Sequence, residues 1–324
     1  MPTAILQNRP KVGQGHLGGF PYLAASLVHR HESLRRHTTL DLGGAADLYI
    51  EVGSVEDLKR ILWFTAEREL PVVILGGGSN VLFPDSGFRG IVLSLRRGFD
   101  WVTVDGDVIE AGSGAHLSRV VHEAYQTGLS GFEFAVGIPG SVGGALVMNA
   151  GTRAGAIGSI VENLHAVDRL GHERTIKQEE AGFRYRGSDL GEFTILSATF
   201  RLRPDRGESI AERMREIRDY RRKTQPPRGR SAGCVWKNGP DYSAGLLLDN
   251  LGFKGKRIGG AFVPDQHANF IINDGTATAT DYLNLMAEMA DAARREKGIE
   301  LEAEVVCVGF ASSEAPRESG HFFC

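Results

Sequence analysis

Cysteine, net positive charge and long apolar runs are all scarce in this chain. The only cysteines are Cys234, Cys307 and Cys324, and no two have CxxC spacing, so neither a disulfide framework nor a zinc site is indicated. The net charge of -3 argues against nucleic-acid binding, which normally needs a strongly basic domain. No run reaches the roughly 18 apolar residues of a membrane span. We therefore predict a cytoplasmic protein with no metal, no nucleic-acid partner and no membrane insertion. Separately from these absences, we expect a monomer.

Glycine, in contrast, is abundant. The chain has 42 glycines in 324 residues, whereas average usage is about 7%. Glycine lets the backbone turn sharply or approach a ligand closely. The length is about twice that of a usual domain, so two or three domains are expected.

The start of the chain predicts no signal peptide, because it lacks a basic start followed by a long apolar core. We expect a flexible leader over residues 1–30. A strand at Asp47–Val52, a helix capped by Ser54 and a strand over residues 71–75 then form a strand-helix-strand unit. The unit leads directly into a glycine-rich loop.

Three domains follow from the pattern, and the fold class is α+β. The first covers residues 31–92 together with 302–324. The second, 93–223, has short strands and few helices. The third, 224–301, begins where two prolines end a helix and closes with a long helix that has Gly298 just after its end.

Two glycine loops are candidate phosphate sites. GGGSN follows a buried strand, and GIPGSVGG lies in the second domain. Glycines let backbone N–H groups converge on an anion, although a plain tight turn explains GGGSN equally well. Loops from two domains suit a dinucleotide lying between them. The predicted cofactor contacts are Gly76, Gly77, Gly78, Ser79, Asn80, Gly137, Ile138, Pro139, Gly140, Ser141, Gly143, Gly144 and Asn149.

For several polar residues outside these loops, the sequence allows two interpretations, one structural and one functional. Arg186, in FRYRGSDL, is either a solvated charge or a planar fork for a carboxylate. The basic residues between Arg218 and Arg230 are either a solvated helix end or, for one or two members, a diphosphate contact. HANFIIN, residues 267–273, reads as a strand with polar residues on one face, which either meets solvent or lines a sugar site.

Cys234 lies in SAGCVWKN, a glycine-containing segment with a lysine nearby. Cys307 alternates with apolar residues and reads as core, and Cys324 is terminal. Cys234 is therefore the candidate for chemistry. On its own, a small buried packing residue is the simpler reading.

Seven segments in the same order resemble one family, the UDP-N-acetylenolpyruvoylglucosamine reductases, which are flavoenzymes of peptidoglycan precursor synthesis. The resemblance covers residues 37–309. The segments are HTTLDLGGAADLYIEV, VVILGGGSNVLF, the run from GFEF to MNAG, FRYRGSDL, SAGCVWKN, GGAFVPDQHANFIIN with ATATDYLNLM, and LEAEVVCVG.

The resemblance implies a two-part FAD-binding fold of the vanillyl-alcohol-oxidase/PCMH type plus a C-terminal α+β substrate domain. It implies that FAD lies between the first two domains and that NADPH reduces it. The hydride then reduces the enolpyruvyl group of UDP-N-acetylglucosamine enolpyruvate to the lactyl ether, giving UDP-N-acetylmuramate. The short connection after Ser188 resembles the shorter second subclass, which lacks an insertion with a substrate-covering tyrosine.

The resemblance also implies roles for single residues. Arg186 and Glu304 match the pair that stabilises the intermediate, and Glu304 is either protonated or orients a neighbour. Cys234 replaces the usual serine proton donor, and a thiol is the better acid. A cation such as Lys237 could convert it to thiolate. The predicted substrate contacts are Tyr185, Lys223, Lys237, Asn238, His267, Asn269 and Asn273.

Two other functions remain open from the residues. One is an FAD-dependent alcohol or sugar oxidase with the same flavin fold, although HANFIIN and SAGCVWKN count against it. The other is a catalytically silent nucleotide-sugar binder, which would keep the loops but fail to reduce its flavin.

Overall fold

The computed structural model describes residues 20–227 and 229–310. Its first unit is a four-stranded sheet in the order β1-β2-β5-β3, in which β1 is antiparallel to β2 and the other neighbours are parallel. The elements of this unit are β1 (Leu27–Ser33), β2 (Ala45–Glu51), α1 (Val55–Glu67), β3 (Val72–Leu75), β4 (Val81–Leu82) and β5 (Phe88–Ser94).

The predicted strand-helix-strand unit is confirmed by β2, α1 and β3. The Ser54 hydroxyl accepts a hydrogen bond from the Asp57 N–H and so caps α1, as its position predicts. Leu58 and Ile61 on the inner face of α1 are buried. Their burial fixes the helix against the sheet and sets the path of the chain into the first glycine loop.

The expectation of a flexible leader is wrong for residues 20–30. Phe20 packs edge-on against Phe64 with the ring centroids 5.1 Å apart. The buried Asp57 carboxylate accepts hydrogen bonds from the Ser26 hydroxyl and from two neighbouring backbone N–H groups. From Leu27 the chain is a strand of the first sheet. The rest of the predicted leader and residues 311–324 lie outside the described residues.

The second unit is built on a five-stranded antiparallel sheet in the order β12-β11-β13-β7-β6. Helices α2 and α3 and the 3-10 turns pack against this sheet around a large apolar core. The elements are β6 (Val102–Asp105), β7 (Val108–Gly112), α2 (Leu117–Gln126), β8 (Leu129–Ser130), α3 (Val142–Val147), β9 (Gly151–Thr152), β10 (Gly155–Ala156), β11 (Val161–Val167), β12 (Glu173–Lys177), β13 (Thr194–Arg201), β14 (Arg203–Pro204) and α4 (Gly207–Thr224).

The third unit contains a small three-stranded sheet and a long helix. Its elements are α5 (Ala244–Asn250), β15 (Arg257–Ile258), β16 (Ala261–Phe262), β17 (Ile272–Asn273) and α6 (Ala279–Lys297), followed by β18 (Val306–Cys307). Helix α6 ends at Gly298, whose φ is +67°, as the sequence predicts. β18 pairs in parallel with β4, so the chain returns from the third unit to the first.

The prediction of one strand over residues 267–273 is wrong, because only Ile272 and Asn273 are in β17. The His267 N–H donates to the Pro264 carbonyl and makes a turn. Asn269 uses its side chain to bond the backbone of a separate segment. Asparagine side chains compete with strand pairing in this way, so the alternation does not put the polar residues on one face.

Within the described ranges, no helix is long and apolar enough to cross a membrane. In the same part of the chain, no group of three or more histidine, cysteine, aspartate or glutamate residues is arranged to hold a metal ion.

Candidate active site

The two glycine loops lie against each other at backbone distance. A Cβ on Gly77 would lie 2.5 Å from the Cα of Gly140, and a Cβ on Gly76 would lie 2.5 Å from the Ser141 hydroxyl oxygen. Ser79 donates a hydrogen bond to the Pro139 carbonyl across the same contact. Glycine is therefore required here by space, which explains why the sequence has it at these positions.

A cleft lined by residues of the first and second units opens beside these loops. Gly76, Arg96, Ser113, Ser141 and Gly144 are among the residues that line it. Ser113 is 3% exposed, and its hydroxyl has no hydrogen-bond partner among the residues that the structure describes. A buried polar atom of this kind marks a place for a ligand.

The sequence interpretation did not identify Ser113 or Arg96 as ligand contacts. One local signal for Ser113 exists, since it lies between Gly112 and Gly114 directly after a strand. That is the same arrangement as the first glycine loop.

Cys234 is brought to the site by an extended segment that is held on both sides. On one side, the Val235 N–H donates to the Asn269 carbonyl. On the other, the Glu304 N–H donates to the Val235 carbonyl at 2.8 Å. Asn80 donates from its side-chain amide to the Glu304 carbonyl, also at 2.8 Å. The first glycine loop and the thiol segment are therefore both bonded to the backbone of Glu304.

Arg186 reaches the same point from a strained turn. Its φ is +53°, a conformation that costs a non-glycine residue on the order of 1–3 kcal/mol. Its Nε lies 2.7 Å from Glu304 Oε1 in a contact that is an ion pair rather than an aligned hydrogen bond. Its Nη1 donates to the Gly151 carbonyl at 2.9 Å. The turn holds the guanidinium in one place before any ligand binds.

The two acids of this cluster, the Glu304 carboxyl and the Cys234 thiol, both have raised pKa values. Burial raises the pKa of Glu304, although Arg186 and Lys237 oppose the shift. Burial, helped by the charge of Glu304, raises the pKa of the Cys234 thiol to about 12, while Arg186 and Arg221 oppose it. The Cys234 thiol is therefore neutral at pH 7 and can donate a proton.

Lys237 does not turn the thiol into a thiolate. Its ammonium lies 2.7 Å from Glu302 Oε1, and its backbone N–H donates to the Glu302 carbonyl. The cations that act on the thiol are Arg186 and Arg221. Neighbourhood in sequence was misleading because successive residues of an extended segment point to opposite faces, so the side chains of two residues three positions apart point in opposite directions.

Arg221 is a second arginine of the site, and the sequence interpretation treated it as part of a solvated helix end. It is half-buried on the last turn of α4 and donates from Nη2 to the Gly137 carbonyl at 2.9 Å. Burial, together with the charge of Arg186, lowers its pKa. The reading as a solvated charge is therefore wrong for Arg221.

Two of the predicted substrate contacts lie together at the rim. Tyr185 is 55% exposed, and its hydroxyl oxygen lies 3.5 Å from the backbone N of Asn238. The Asn238 side chain accepts a hydrogen bond from the Ala244 N–H and so also holds the start of α5. Lys223 is exposed on α4, two residues after Arg221.

Three other predicted substrate contacts have structural partners. Asn269 and Asn273 are each 2% exposed. The Asn269 amide bonds the backbone N–H and carbonyl of Trp236, and the Asn273 amide donates to the Leu40 carbonyl. His267 is half-buried against Phe270, and burial lowers its pKa. The three residues therefore do not form one polar face of a strand, and their contact with the substrate stays a prediction.

Asn149, a predicted cofactor contact, also has a side chain that is hydrogen-bonded to the backbone of the protein. Its amide donates to the Arg184 carbonyl at 2.9 Å and accepts from the Gly158 N–H at 3.0 Å. It therefore holds the turn that carries Arg186.

Comparison with known proteins agrees with this architecture. The model of the FAD binding domain matches residues 46–176, which include both glycine loops and Ser113. Together with the two-part cleft, this match defines the chain as an FAD-binding flavoprotein and confirms the predicted fold class. The model of the UDP-N-acetylenolpyruvoylglucosamine reductase C-terminal domain matches residues 225–308, which include Cys234 and Glu304.

The similar proteins identify the family. A UDP-N-acetylenolpyruvoylglucosamine reductase from Moorella thermoacetica is 44% identical over 281 residues, which is 86% of this chain and 92% of the relative. Reductase 2 from Symbiobacterium thermophilum is 41% identical over 280 residues, covering 86% and 91%. The crystal structure of the reductase from Thermus caldophilus has a TM-score of 0.78 at 37% identity, covering 87% and 99%. The chain belongs to the UDP-N-acetylenolpyruvoylglucosamine reductase family.

The residues of the cleft fit FAD. The contact between Gly77 and Gly140 leaves bare backbone for a pyrophosphate, which glycine loops bind through N–H groups. The unpartnered hydroxyl of Ser113 supplies a further polar contact. The closely packed glycine loops and the unsatisfied hydroxyl lie together at the interface of the two units.

Proposed function

We propose that Arg186, Glu304 and Cys234 carry out the reaction of this flavoenzyme. The enzyme uses FAD as cofactor and NADPH as reductant, and it reduces the enolpyruvyl group of UDP-N-acetylglucosamine enolpyruvate to the lactyl ether of UDP-N-acetylmuramate. When bound, FAD supplies the hydride for this reduction. The substrate's carboxylate and the added electron pair then create negative charge that the protein must stabilise.

Arg186 supplies the positive charge for this step. Its guanidinium is fixed by the Gly151 carbonyl and by Glu304, so little reorganisation is needed when the negative charge develops. A planar fork also matches a carboxylate. The strained backbone at Arg186 is consistent with this role, since such strain is usually kept for function.

Glu304 is proposed to act in its protonated form. Its raised pKa favours a neutral carboxyl when the anionic substrate binds beside it, because a second negative charge would add repulsion. A neutral carboxyl donates a hydrogen bond to the intermediate instead of opposing it.

Cys234 is proposed to protonate the α carbon. The thiol keeps its proton at neutral pH but gives it up more readily than a serine hydroxyl would. Its place between Arg186, Glu304 and Arg221 puts the donor in the same pocket as the charge it neutralises.

Both glycine loops are proposed to hold the FAD pyrophosphate and ribityl chain. Tyr185, Asn238, Lys237 and Lys223 are proposed to meet the UDP-sugar, and the third domain remains our proposal for the substrate domain. We also propose that the enzyme works as a cytoplasmic monomer, since its substrate is a nucleotide sugar and its reductant NADPH.

One observation carries this proposal. Three side chains from segments far apart in sequence meet within one partly buried cluster, and the backbone of Glu304 in that cluster is bonded to the first glycine loop. A thiol, a carboxyl and a guanidinium together supply the acid and the charge stabilisation that the reaction requires.

An anaerobic visible absorption spectrum tests the function. The purified protein is recorded alone, after NADPH, and after UDP-N-acetylglucosamine enolpyruvate. We expect flavin bands that bleach with NADPH and return with the enolpyruvyl substrate. Bands that return only on admitting oxygen would favour an oxidase, and bands that never bleach would favour a silent binder.

A further inference from the structure

Asn80 ends the first glycine loop and reaches across to the segment that contains Glu304. Its side-chain Nδ2 donates to the Glu304 carbonyl at 2.8 Å. Its own carbonyl accepts a hydrogen bond from the Val306 N–H at 3.0 Å. Asn80 therefore holds the chain on either side of Val305 with two hydrogen bonds, one from its side chain and one from its backbone.

The side-chain hydrogen bond takes the place of a backbone one. β4 pairs in parallel with β18, with Val81 opposite Val306, and the bonds of a parallel ladder follow one another at even spacing. The bond that would come next runs from the Asn80 N–H to the Glu304 carbonyl. The Asn80 amide occupies that carbonyl instead, since asparagine side chains compete with the backbone in this way.

The Asn80 N–H is released by this exchange. Within residues 20–227 and 229–310, no group accepts a hydrogen bond from it. The side chain of Asn80 is thus used inside the protein, and its N–H is the part left for a ligand of the glycine loop.

Glu304 is held at its other backbone group as well. Its N–H donates to the Val235 carbonyl at 2.8 Å, next to Cys234 in the sequence. Its Oε1 lies 2.7 Å from Arg186 Nε. Because both its N–H and its carbonyl are bonded, the direction in which the Glu304 side chain leaves the backbone is set. The contact with Asn80 ties this direction to the first glycine loop.

We propose that Asn80 is a positioning residue of the reaction, whose side-chain amide holds the backbone of Glu304 so that the carboxyl stays against Arg186. This inference rests on the proposed function and adds a residue to it. Asn80→Ala leaves the Glu304 carbonyl without its donor. A shift of about 1 Å in a positioned group can lower a rate by about 100-fold.

The two half-reactions test this role when each is measured in a single turnover and expressed per bound flavin. The FAD-loaded parent is compared with Asn80→Ala, Asn80→Asp and the control Asn163→Asp. Asn163 is a half-buried asparagine of β11 whose side chain accepts a hydrogen bond from Thr199. Flavin absorbance follows both half-reactions.

We expect Asn80→Ala to slow reoxidation by the enolpyruvyl substrate about 10- to 100-fold. Reduction by NADPH should be unchanged, because that half-reaction does not use Glu304. Asn163→Asp should alter neither rate. Normal reoxidation in Asn80→Ala overturns the proposal, and so does equal slowing of both half-reactions, which would indicate damage to the flavin loop.

Asn80→Asp adds a pH dependence that a merely structural role would not produce. A carboxylate cannot donate to the Glu304 carbonyl, whereas a protonated carboxyl can. The hydrogen bond favours the neutral form, so the pKa of the introduced carboxyl should lie above the usual value of about 3.9. The reoxidation rate of Asn80→Asp, divided by that of the parent, should therefore rise about tenfold as the pH is lowered from about 8.5 to about 5.5. A ratio that is as constant as that of Asn80→Ala contradicts the role of the donor.

Amide hydrogen exchange measures the hold on Glu304 without any turnover. In the FAD-loaded protein, the peptide containing Glu304 and Val306 should exchange about tenfold faster in Asn80→Ala than in the parent, because its local opening becomes easier. Asn163→Asp should exchange like the parent. Unchanged exchange in Asn80→Ala overturns the proposal.

Flavin content separates this role from cofactor binding. If both Asn80 variants fail to bind FAD at saturating cofactor, the proposal is overturned, because Asn80 then acts on the flavin rather than on Glu304. A failure of the proposed function appears in the parent itself, as flavin bands that do not return with the enolpyruvyl substrate. The exchange result does not depend on that substrate, so the two failures are distinguishable.

Discussion

The proposed flavin side and the proposed proton-donor side of this site, called the flavin side and the donor side below, are built in different ways. The flavin side consists of backbone, because two glycine loops pack so closely that a single Cβ would collide. The donor side consists of side chains from three distant segments, with Arg186, Glu304 and Cys234 in one partly buried cluster. The first is specified by the shape of the chain, and the second by charges whose strength depends on burial.

This difference decides how each side responds to substitution. Side-chain chemistry on the donor side can be removed without moving the backbone, so we expect large losses of rate with FAD retained. An added methyl group on the flavin side must move backbone, so we expect loss of cofactor. Substitutions on the two sides should therefore separate loss of rate from loss of FAD.

Cys234→Ala should slow reoxidation of the reduced flavin by the enolpyruvyl substrate about 10²- to 10⁴-fold, the usual contribution of a general acid. Reduction by NADPH should persist, because that half-reaction needs no proton from the thiol. Stopped-flow absorbance of each half-reaction measures both. Cys234→Ser is the matched variant and should keep substantial activity. Normal reoxidation in the alanine variant would remove Cys234 from the mechanism.

Arg186→Gln should lower the rate of the same half-reaction about 10²- to 10³-fold, as loss of one group stabilising an anion typically does. The FAD content should stay normal, since Arg186 does not line the cleft. Arg184→Gln is the control, because Arg184 belongs to the same turn but pairs with Asp189. Equal losses in both variants would indicate damage to the turn rather than loss of charge.

Gly77→Ala should weaken FAD binding about 10- to 100-fold, because a Cβ 2.5 Å from the Gly140 backbone forces a shift costing about 1–3 kcal/mol. Fluorescence titration of the apoprotein with FAD measures this. Gly207→Ala is the control, since nothing lies within 4 Å of its Cβ position. Normal affinity in Gly77→Ala would contradict the view that the loops hold the flavin through bare backbone.

The glycine loops of the proposed flavin side were recognisable in the sequence, whereas the arrangement of the proposed donor side was not. GGGSN and GIPGSVGG are continuous in sequence, so glycine content and position after a strand were enough to find them. Ser113 was missed although it has a similar local pattern. The resemblance to the family supplied the roles of Arg186 and Glu304, which no spacing rule would have paired.

The failures have a common physical cause. Arg221, Asn269 and Asn273 were assigned from local patterns, but their roles depend on which distant backbone atoms they meet. The asparagines bond buried main-chain groups, and Arg221 lies over a glycine 84 residues away. Alternation and charge runs contain no information about such partners, so only the folded chain reveals them.

The smallest expected effect lies outside both sides, where Asp57 holds residues 24–26 against α1. Although burial opposes it, hydrogen bonds from Ser26 and two backbone N–H groups lower the pKa of Asp57. A depressed folded pKa contributes stability above the unfolded value of about 3.9, and this stability is lost as pH falls through the folded pKa. Asp57→Asn should therefore lower the free energy of unfolding by about 1–3 kcal/mol at pH 7.

Urea denaturation at pH 7 and at pH 3 measures this change, with Glu56→Gln as the control because Glu56 is the exposed acid beside Asp57. The difference in the free energy of unfolding between Asp57→Asn and the parent should shrink at pH 3. At that pH the unfolded parent binds a proton at Asp57, which lowers the stability of the folded parent. Turnover should be unchanged at pH 7, since the contact is remote from both sides of the site. A loss of activity in folded Asp57→Asn would mean that the N-terminal segment, and not only the two glycine loops and the charged cluster, determines the geometry of the reaction.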